Sequence, residues 1–212
     1  MKKNIIIIGA GGFAAECHLY LREVMKQEED LAFGGFLADS HVLGQYGLEE
    51  YFLGHYADYA FAPNDRIVIG IGSSEARERL YDFFSSRGIN FYTLVSPSAM
   101  ISPSSRLGSG NILCHNVFVG PGAVLGNCNL LNVATTIGHD AHIGSFNVLN
   151  SHCDITGYAQ IGDRNFFGTH ASMLPHSKVG SGCRIGAGSV VYKKIKDNIL
   201  AFGNPAIKIY DL

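Results

Sequence analysis

Residues 101–196 follow a six-residue rhythm of apolar and small positions. Counting from Ile101, every sixth residue is apolar: Ile101, Leu107, Leu113, Val119, Leu125, Leu131, Ile137, Ile143, Leu149, Ile155, Ile161, Phe167, Met173, Val179, Ile185 and Val191. The fifth residue of each six is nearly always small, and glycine often follows the aliphatic, as in Ile137-Gly138 and Ile161-Gly162. Sixteen consecutive matches without an insertion make chance an implausible source. The pattern predicts a three-sided coil in which each six supplies one short strand and one corner, so that about 18 residues close a turn. The aliphatic points inward, and the small fifth residue leaves it room. Glycine or asparagine at a corner tolerates the positive φ that a sharp turn can require. Successive coils then pair as parallel strands about 4.8 Å apart and bury a continuous apolar column. An antiparallel sandwich would instead show strict alternation and irregular loops. The arithmetic leaves handedness open, since parallel crossovers are normally right-handed.

Residues 1–94 have another rhythm. Ile5–Ile8 reads as a buried strand, followed by Gly9-Ala10-Gly11-Gly12 and a helical stretch from Phe13 to Gln27. Further strands are predicted over Ala32–Leu37 and Arg66–Ile71, a helix over Ser74–Arg87 capped by Ser73 or Ser74, and a last strand near Tyr92–Val95. This alternation predicts a small Rossmann-like parallel α/β sheet, joined to the all-β parallel helix of residues 95–212. Glycines at a strand-to-helix turn can cradle a phosphate, or can serve only tight strand–helix packing. The functional reading places a nucleotide or nucleotide-sugar site at the carboxyl ends of the strands, lined by Gly9, Gly12, Asp39, Gly72 and Ser73. A full dinucleotide domain needs more chain than this, which argues against hydride transfer.

Composition narrows the field. A formal net charge of −2 and the absence of a long basic cluster give no support for nucleic-acid or anionic-membrane partners. No apolar run approaches the roughly 18 residues of a membrane span, and the run at Ile5–Ile8 is too short for a signal peptide. Five widely spaced cysteines with no CxxC read as reduced core residues of a cytoplasmic protein.

The candidate chemistry lies on a corner of the coil. His139 and Asp140 are the third and fourth residues of their six, where side chains project outward. An exposed imidazole there is free to act as a general base, with Asp140 holding its tautomer. By the 18-residue period, position 139 stacks next to Gly157, whose backbone N–H has no side chain in the way and suits stabilisation of an oxyanion. An isolated surface His–Asp pair is, however, usually inert. Zinc is the rival chemistry: His152 and His170 lie one coil apart and are predicted to stack, but no HxxxxH pair occurs, so no metal site is assigned.

Beyond these features the chain resembles the bacterial sugar O/N-acyltransferases of the sialic acid O-acetyltransferase and bacillosamine N-acetyltransferase type. The resemblance runs through Gly9–Glu16, Ile71–Arg77, Val95–Ala99, Leu131–Asp140, Ile185–Val191 and Gly203–Ala206. It implies a left-handed β-helix of hexapeptide repeats and acetyl transfer from acetyl-CoA to a sugar, with a nucleotide-linked amino sugar as the expected acceptor and sialic acid O-acetylation as the alternative. A non-catalytic trimeric nucleotide-sugar-binding scaffold is the reading from a different class. The resemblance further implies His139 as base, Asp140 as its partner, Asn132 beside the acceptor, the Gly157 amide on the thioester carbonyl, and the backbones of Thr169 and Ala187 on pantetheine. It implies a homotrimer whose active sites use two chains. The sequence departs from the family pattern at Phe13-Ala14-Ala15, at Ala38, and at Val148, where the family has a second histidine.

Overall fold

The computed structural model describes residues 2–212 and separates into two compact units, Met1–Pro97 and Ser98–Leu212. In the first, β1 (Lys3–Ile8), α1 (Gly12–Met25), β2 (Leu31–Leu37), β3 (Phe52–Gly54), β4 (Asp65–Ile69), α2 (Ser74–Ser85) and β5 (Asn90–Phe91) build a sheet of order β3-β2-β1-β4-β5, parallel throughout. Ile5, Ile6 and Ile7 of the central strand are wholly buried, as expected for a strand with both faces covered. The predicted α/β unit is therefore present, with two differences. Strand β3, Phe52–Gly54, was not expected; it is three residues long, with no residue buried and too short for a periodic signal. The last strand of this sheet is Asn90–Phe91, slightly earlier than read from the sequence, and a separate two-residue strand, Leu94–Val95, falls within the expected Tyr92–Val95. Ser73 caps α2, its Oγ accepting from the Ala76 amide at 3.2 Å.

The second unit is the left-handed parallel β-helix, and its strands recur at the predicted interval. One face stacks Met100–Ile101, Phe118–Val119, Thr136–Ile137, Asp154–Ile155, Ser172–Met173 and Val190–Val191. A second stacks Arg106–Leu107, Val124–Leu125, His142–Ile143, Gln160–Ile161, Lys178–Val179 and Lys194–Ile195. A third runs from Ile112–Leu113 through Leu130–Leu131, Val148–Leu149, Phe166–Phe167 and Arg184–Ile185 to Ile199–Phe202, which pairs antiparallel with Ile207–Asp211. From Leu113 to Val191 every first-position residue is at most 4% exposed, so the aliphatic column is the core. The frame breaks after Val191: Lys178 pairs with Lys194, two residues short of a full coil.

Two devices hold the coils together beyond that column. Positive φ falls on the fourth residue of every six from Gly110 to Gly188, and ten of those fourteen residues are not glycine, among them Asp140, His152, Tyr158, His170 and His176. The left-handed region costs a non-glycine residue roughly 1–2 kcal/mol. Hydrogen bonds offset that cost, because the amide of each such corner residue reaches the preceding coil, as from Asp140 to the Pro121 carbonyl (2.9 Å) and from Tyr158 to that of His139 (3.0 Å). The expected assignment of positive φ to glycine and asparagine is thus corrected. The repeat glycines instead sit where a Cβ would strike the next coil; at Gly126 it would lie 2.7 Å from the Gly144 carbonyl oxygen.

The second device is a buried asparagine column. Asn111, Asn129, Asn147 and Asn165 are fifth-position residues with no exposure. The Oδ1 of each accepts the backbone amide one coil on, at 2.7–2.9 Å, ending at Cys183. Their Nδ2 groups donate to main-chain carbonyls such as Gly144 and Gly162. These residues serve as connectors as well as space-savers. Replacing Asn147 with alanine strands the Asn165 amide and the Gly162 carbonyl. We expect a loss of about 3 kcal/mol, read as a fall of roughly 6–12 °C in the unfolding midpoint; a fall under about 2 °C would contradict the role given to the column.

All five cysteines are free and buried. Burial pushes the Cys153 thiol up to about 12, so it remains protonated and unreactive at neutral pH.

Candidate active site

His139, Asp140 and Gly157 come together at one corner, between the first and second faces. The His139 side chain is 58% exposed, and its Nδ1 donates to Asp140 Oδ2 at 3.0 Å, which leaves Nε2 as the basic nitrogen. The ring lies directly over Gly157: a Cβ there would sit 2.6 Å from Nε2 and 2.8 Å from Cε1. Only glycine fits beneath the imidazole. Tyr158 closes the side of the notch, its ring edge-to-face with His139 at 5.1 Å and stacked in turn on His176 at 4.9 Å. The sequence reading missed both aromatic partners, although the 18-residue period places Tyr158 and His176 one and two coils beyond Asp140.

The backbone at this corner differs from that of the next. Between the second and third faces, each third-position amide is capped by the side chain one coil on: Ser109 by Asn127, Asn127 by Ser145, Ser145 by Asp163, Asp163 by Ser181 and Ser181 by Asp197. At the His139 corner the corresponding positions are Pro103, Pro121, His139, Gly157 and Pro175, which offer no such cap. The Gly157 N–H has no acceptor among the described residues, although Gly157 is buried. An unpaired buried amide costs about 1–3 kcal/mol, and a bound acceptor, water or ligand, recovers that cost.

Thr169 and Ala187 lie elsewhere, at the corner between the third and first faces. They line a groove of about 450 Å³ together with Asn150, Gly168 and Arg184. Asn132 belongs to that same corner, where its Oδ1 accepts the Val133 amide at 2.7 Å. Within one chain, therefore, the predicted base and the predicted pantetheine and acceptor contacts occupy different edges of the prism. His152 and His170 stack nearly parallel at 4.7 Å. Among the described residues no group of three or more His, Cys, Asp or Glu is placed to hold a metal ion.

The first unit has a cleft of about 360 Å³ at the carboxyl ends of its strands, lined by Gly9, Asp39 and Gly72 as expected, and also by Phe13, Ser40, Tyr56 and Arg79. Gly9 has a φ of +112°, and a Cβ would meet the Gly70 carbonyl oxygen at 2.9 Å, so glycine is required for the close approach of β1 to β4. Two predicted residues do not line the cleft. Gly12 faces Tyr46 instead, and the Ser73 hydroxyl is engaged in the helix cap and with Glu75 at 2.7 Å. Asp39 pairs with His55, Nε2 to Oδ1 at 2.7 Å, a partner that enters from the unforeseen strand β3. Arg77, wholly buried, ties the loop after β4 by donating to the Ile69 and Ile71 carbonyls at 2.8 and 3.0 Å.

Comparison with known proteins bears on both units. Residues 4–84 match the PglD N-terminal domain and residues 158–193 match the bacterial transferase hexapeptide (six repeats). No curated protein matches the sequence. Among solved structures, the acetyltransferase domain of PglB from Neisseria gonorrhoeae superposes with a TM-score of 0.86 at 24% identity, covering 98% of this chain and 100% of that one. A histidine-to-asparagine variant of perosamine N-acetyltransferase from Caulobacter crescentus, in complex with CoA and GDP-perosamine, gives 0.87 at 24% identity over 98% and 97%. WeeI from Acinetobacter baumannii gives 0.84 at 24% identity over 97% and 99%. The chain thus shares its two-unit fold, nearly end to end, with these proteins, and carries the PglD N-terminal signature in its first unit and the bacterial transferase hexapeptide signature in its second.

Proposed function

We propose that this protein transfers the acetyl group of acetyl-CoA to the amino group of a nucleotide-linked amino sugar. The observation that carries the reading is the His139 notch: a basic Nε2, a carboxylate on Nδ1, and an uncapped Gly157 amide beneath the ring. As the sugar amine attacks the thioester carbonyl, Nε2 takes its proton, the Gly157 N–H stabilises the oxyanion, the C–S bond breaks, and the proton passes to the departing sulfur. Asp140 stabilises the imidazolium between the two transfers. The cleft in the first unit is of a size for a nucleotide; its glycine turn and Arg79 suit a diphosphate, and Phe13 and Tyr56 offer ring faces to a base. The perosamine enzyme with the same fold holds CoA and a GDP-linked amino sugar, which favours this acceptor class over free sialic acid.

The same reading calls for a homotrimer. His139 and the Thr169–Ala187 groove face different edges of one prism, so a single donor can meet both only between neighbouring copies. Acceptor choice is tested by following thiol release from acetyl-CoA against UDP-, GDP- and dTDP-linked 4-amino sugars and free sialic acid. Turnover with a nucleotide-linked amine and none with sialic acid is expected; the reverse would overturn the acceptor assignment.

A further inference from the structure

The His139 imidazole stands on an open corner, and its polar contact alone does not fix it there. Its partner Asp140 is the next residue, and both side chains are about half exposed, so the pair holds the ring only weakly. A histidine this open has other staggered rotamers within reach. Yet a base that moves an ångström off line can lose about 10²-fold in rate. Keeping Nε2 over the Gly157 amide therefore calls for a second contact.

Tyr158 supplies it. The fourth-position residues of this corner run Ser104, Gly122, Asp140, Tyr158 and His176, so aromatic rings occupy only the two rungs that follow the base. The Tyr158 backbone is tied to the residue that carries the imidazole: its amide donates to the His139 carbonyl at 3.0 Å, with φ at +61°. Its ring meets the imidazole at 89°, the edge-to-face arrangement that aromatic pairs favour. His176 is anchored in the same way one coil on, its amide donating to the Gly157 carbonyl at 3.3 Å. Its ring lies within 3° of parallel to that of Tyr158. Neither the Tyr158 hydroxyl nor the His176 ring makes a hydrogen bond among the described residues, so ring contact is what these two side chains contribute.

We propose that Tyr158, steadied by its stack on His176, is a positioning residue that confines the His139 imidazole to the rotamer with Nε2 above the Gly157 amide. The inference rests on the reading of His139 as general base and adds to it what keeps that base in line.

Steady-state acetyl transfer by the full chain tests it, from acetyl-CoA to whichever UDP-, GDP- or dTDP-linked 4-amino sugar turns over fastest. Tyr158→Ala is expected to lower kcat about tenfold, the upper worth of one aromatic pair, with KM for acetyl-CoA changed less than about threefold. Alanine already holds the equivalent place on another edge at residue 134, with φ at +56°, so the variant should fold. Tyr158→Phe keeps the ring and should stay within about twofold of wild type, and His176→Ala should lose about threefold. A phenylalanine variant as slow as the alanine one, or a loss carried by KM, would make Tyr158 a substrate contact and overturn the inference. Adding Tyr158→Ala to His139→Ala should cost nothing more, because a residue that acts through another has no effect once the other is gone. A further loss of about tenfold in that double variant would also overturn it. Crystals of Tyr158→Ala and of the wild type give a readout that needs no acceptor. The imidazole is expected in more than one rotamer in the variant only, and a single rotamer over Gly157 in both would overturn the inference. Wild-type kcat in Tyr158→Ala beside an impaired His139→Ala would overturn this inference and leave the base in place; undiminished turnover by His139→Ala would overturn both.

Discussion

Replacing His139 with alanine is expected to lower acetyl transfer by roughly 10²–10⁴, the usual contribution of a positioned general base. The loss should fall on kcat. Nothing in the fold depends on this imidazole: the side chain is 58% exposed, and its polar contact with Asp140 is a surface pair worth at most about 1 kcal/mol. The unfolding midpoint should therefore stay close to that of the wild type, which separates a chemical role from a structural one. Asp140→Asn keeps the geometry but removes the charge that stabilises the imidazolium, so an intermediate loss is expected. Steady-state rates with saturating acetyl-CoA read both variants. A His139→Ala enzyme within threefold of wild type would remove the base from the account.

The second large effect is expected at Gly157. A Cβ built there lies 2.6 Å from His139 Nε2, inside any tolerable contact, yet Gly157 is not in the positive-φ region and alanine is sterically allowed by its own backbone. The side chain that must yield is the exposed imidazole, which can swing away at little cost to the fold. Gly157→Ala should then fold with nearly wild-type stability and lose about 10²-fold in kcat, because an ångström of displacement at the reacting group is worth that much. The wild-type and variant rates and melting curves decide the matter together. Full activity would mean that the base does not work from above Gly157, and a collapse of stability would place the glycine among the fold's requirements instead.

Both variants probe a site whose elements were unequally visible in the sequence. The sixfold aliphatic column was legible because the coil repeats one environment, so each inward position from Leu113 to Val191 restates the same demand. His139, Asp140 and Gly157 were legible for the same reason, since a fixed 18-residue period turns sequence distance into spatial contact. The asparagine column was legible only as small fifth positions that leave the aliphatic room; its second role as connector was not, because periodicity reports size and not the amide–carbonyl pairing that coils make with one another. The positive-φ corner was misassigned to glycine and asparagine: inter-coil hydrogen bonds let His152, Tyr158 and His170 occupy a conformation that local propensity disfavours. In the first unit no repeat exists to amplify the signal. Strand β3 was missed, and with it the His55 partner of Asp39. Ser73 illustrates the converse: the same residue was read as a cap and as a ligand, and the cap is what its hydroxyl does.

The claim on which the account turns is that a thioester lies against the His139–Gly157 corner. A crystal structure of the protein with coenzyme A tests this most directly. The thiol sulfur is expected within proton-transfer reach of His139 Nε2, either directly at hydrogen-bonding distance or through one water, with the pantetheine chain leading toward the C-terminal rungs. Coenzyme A bound with its sulfur at any other edge of the prism would contradict it.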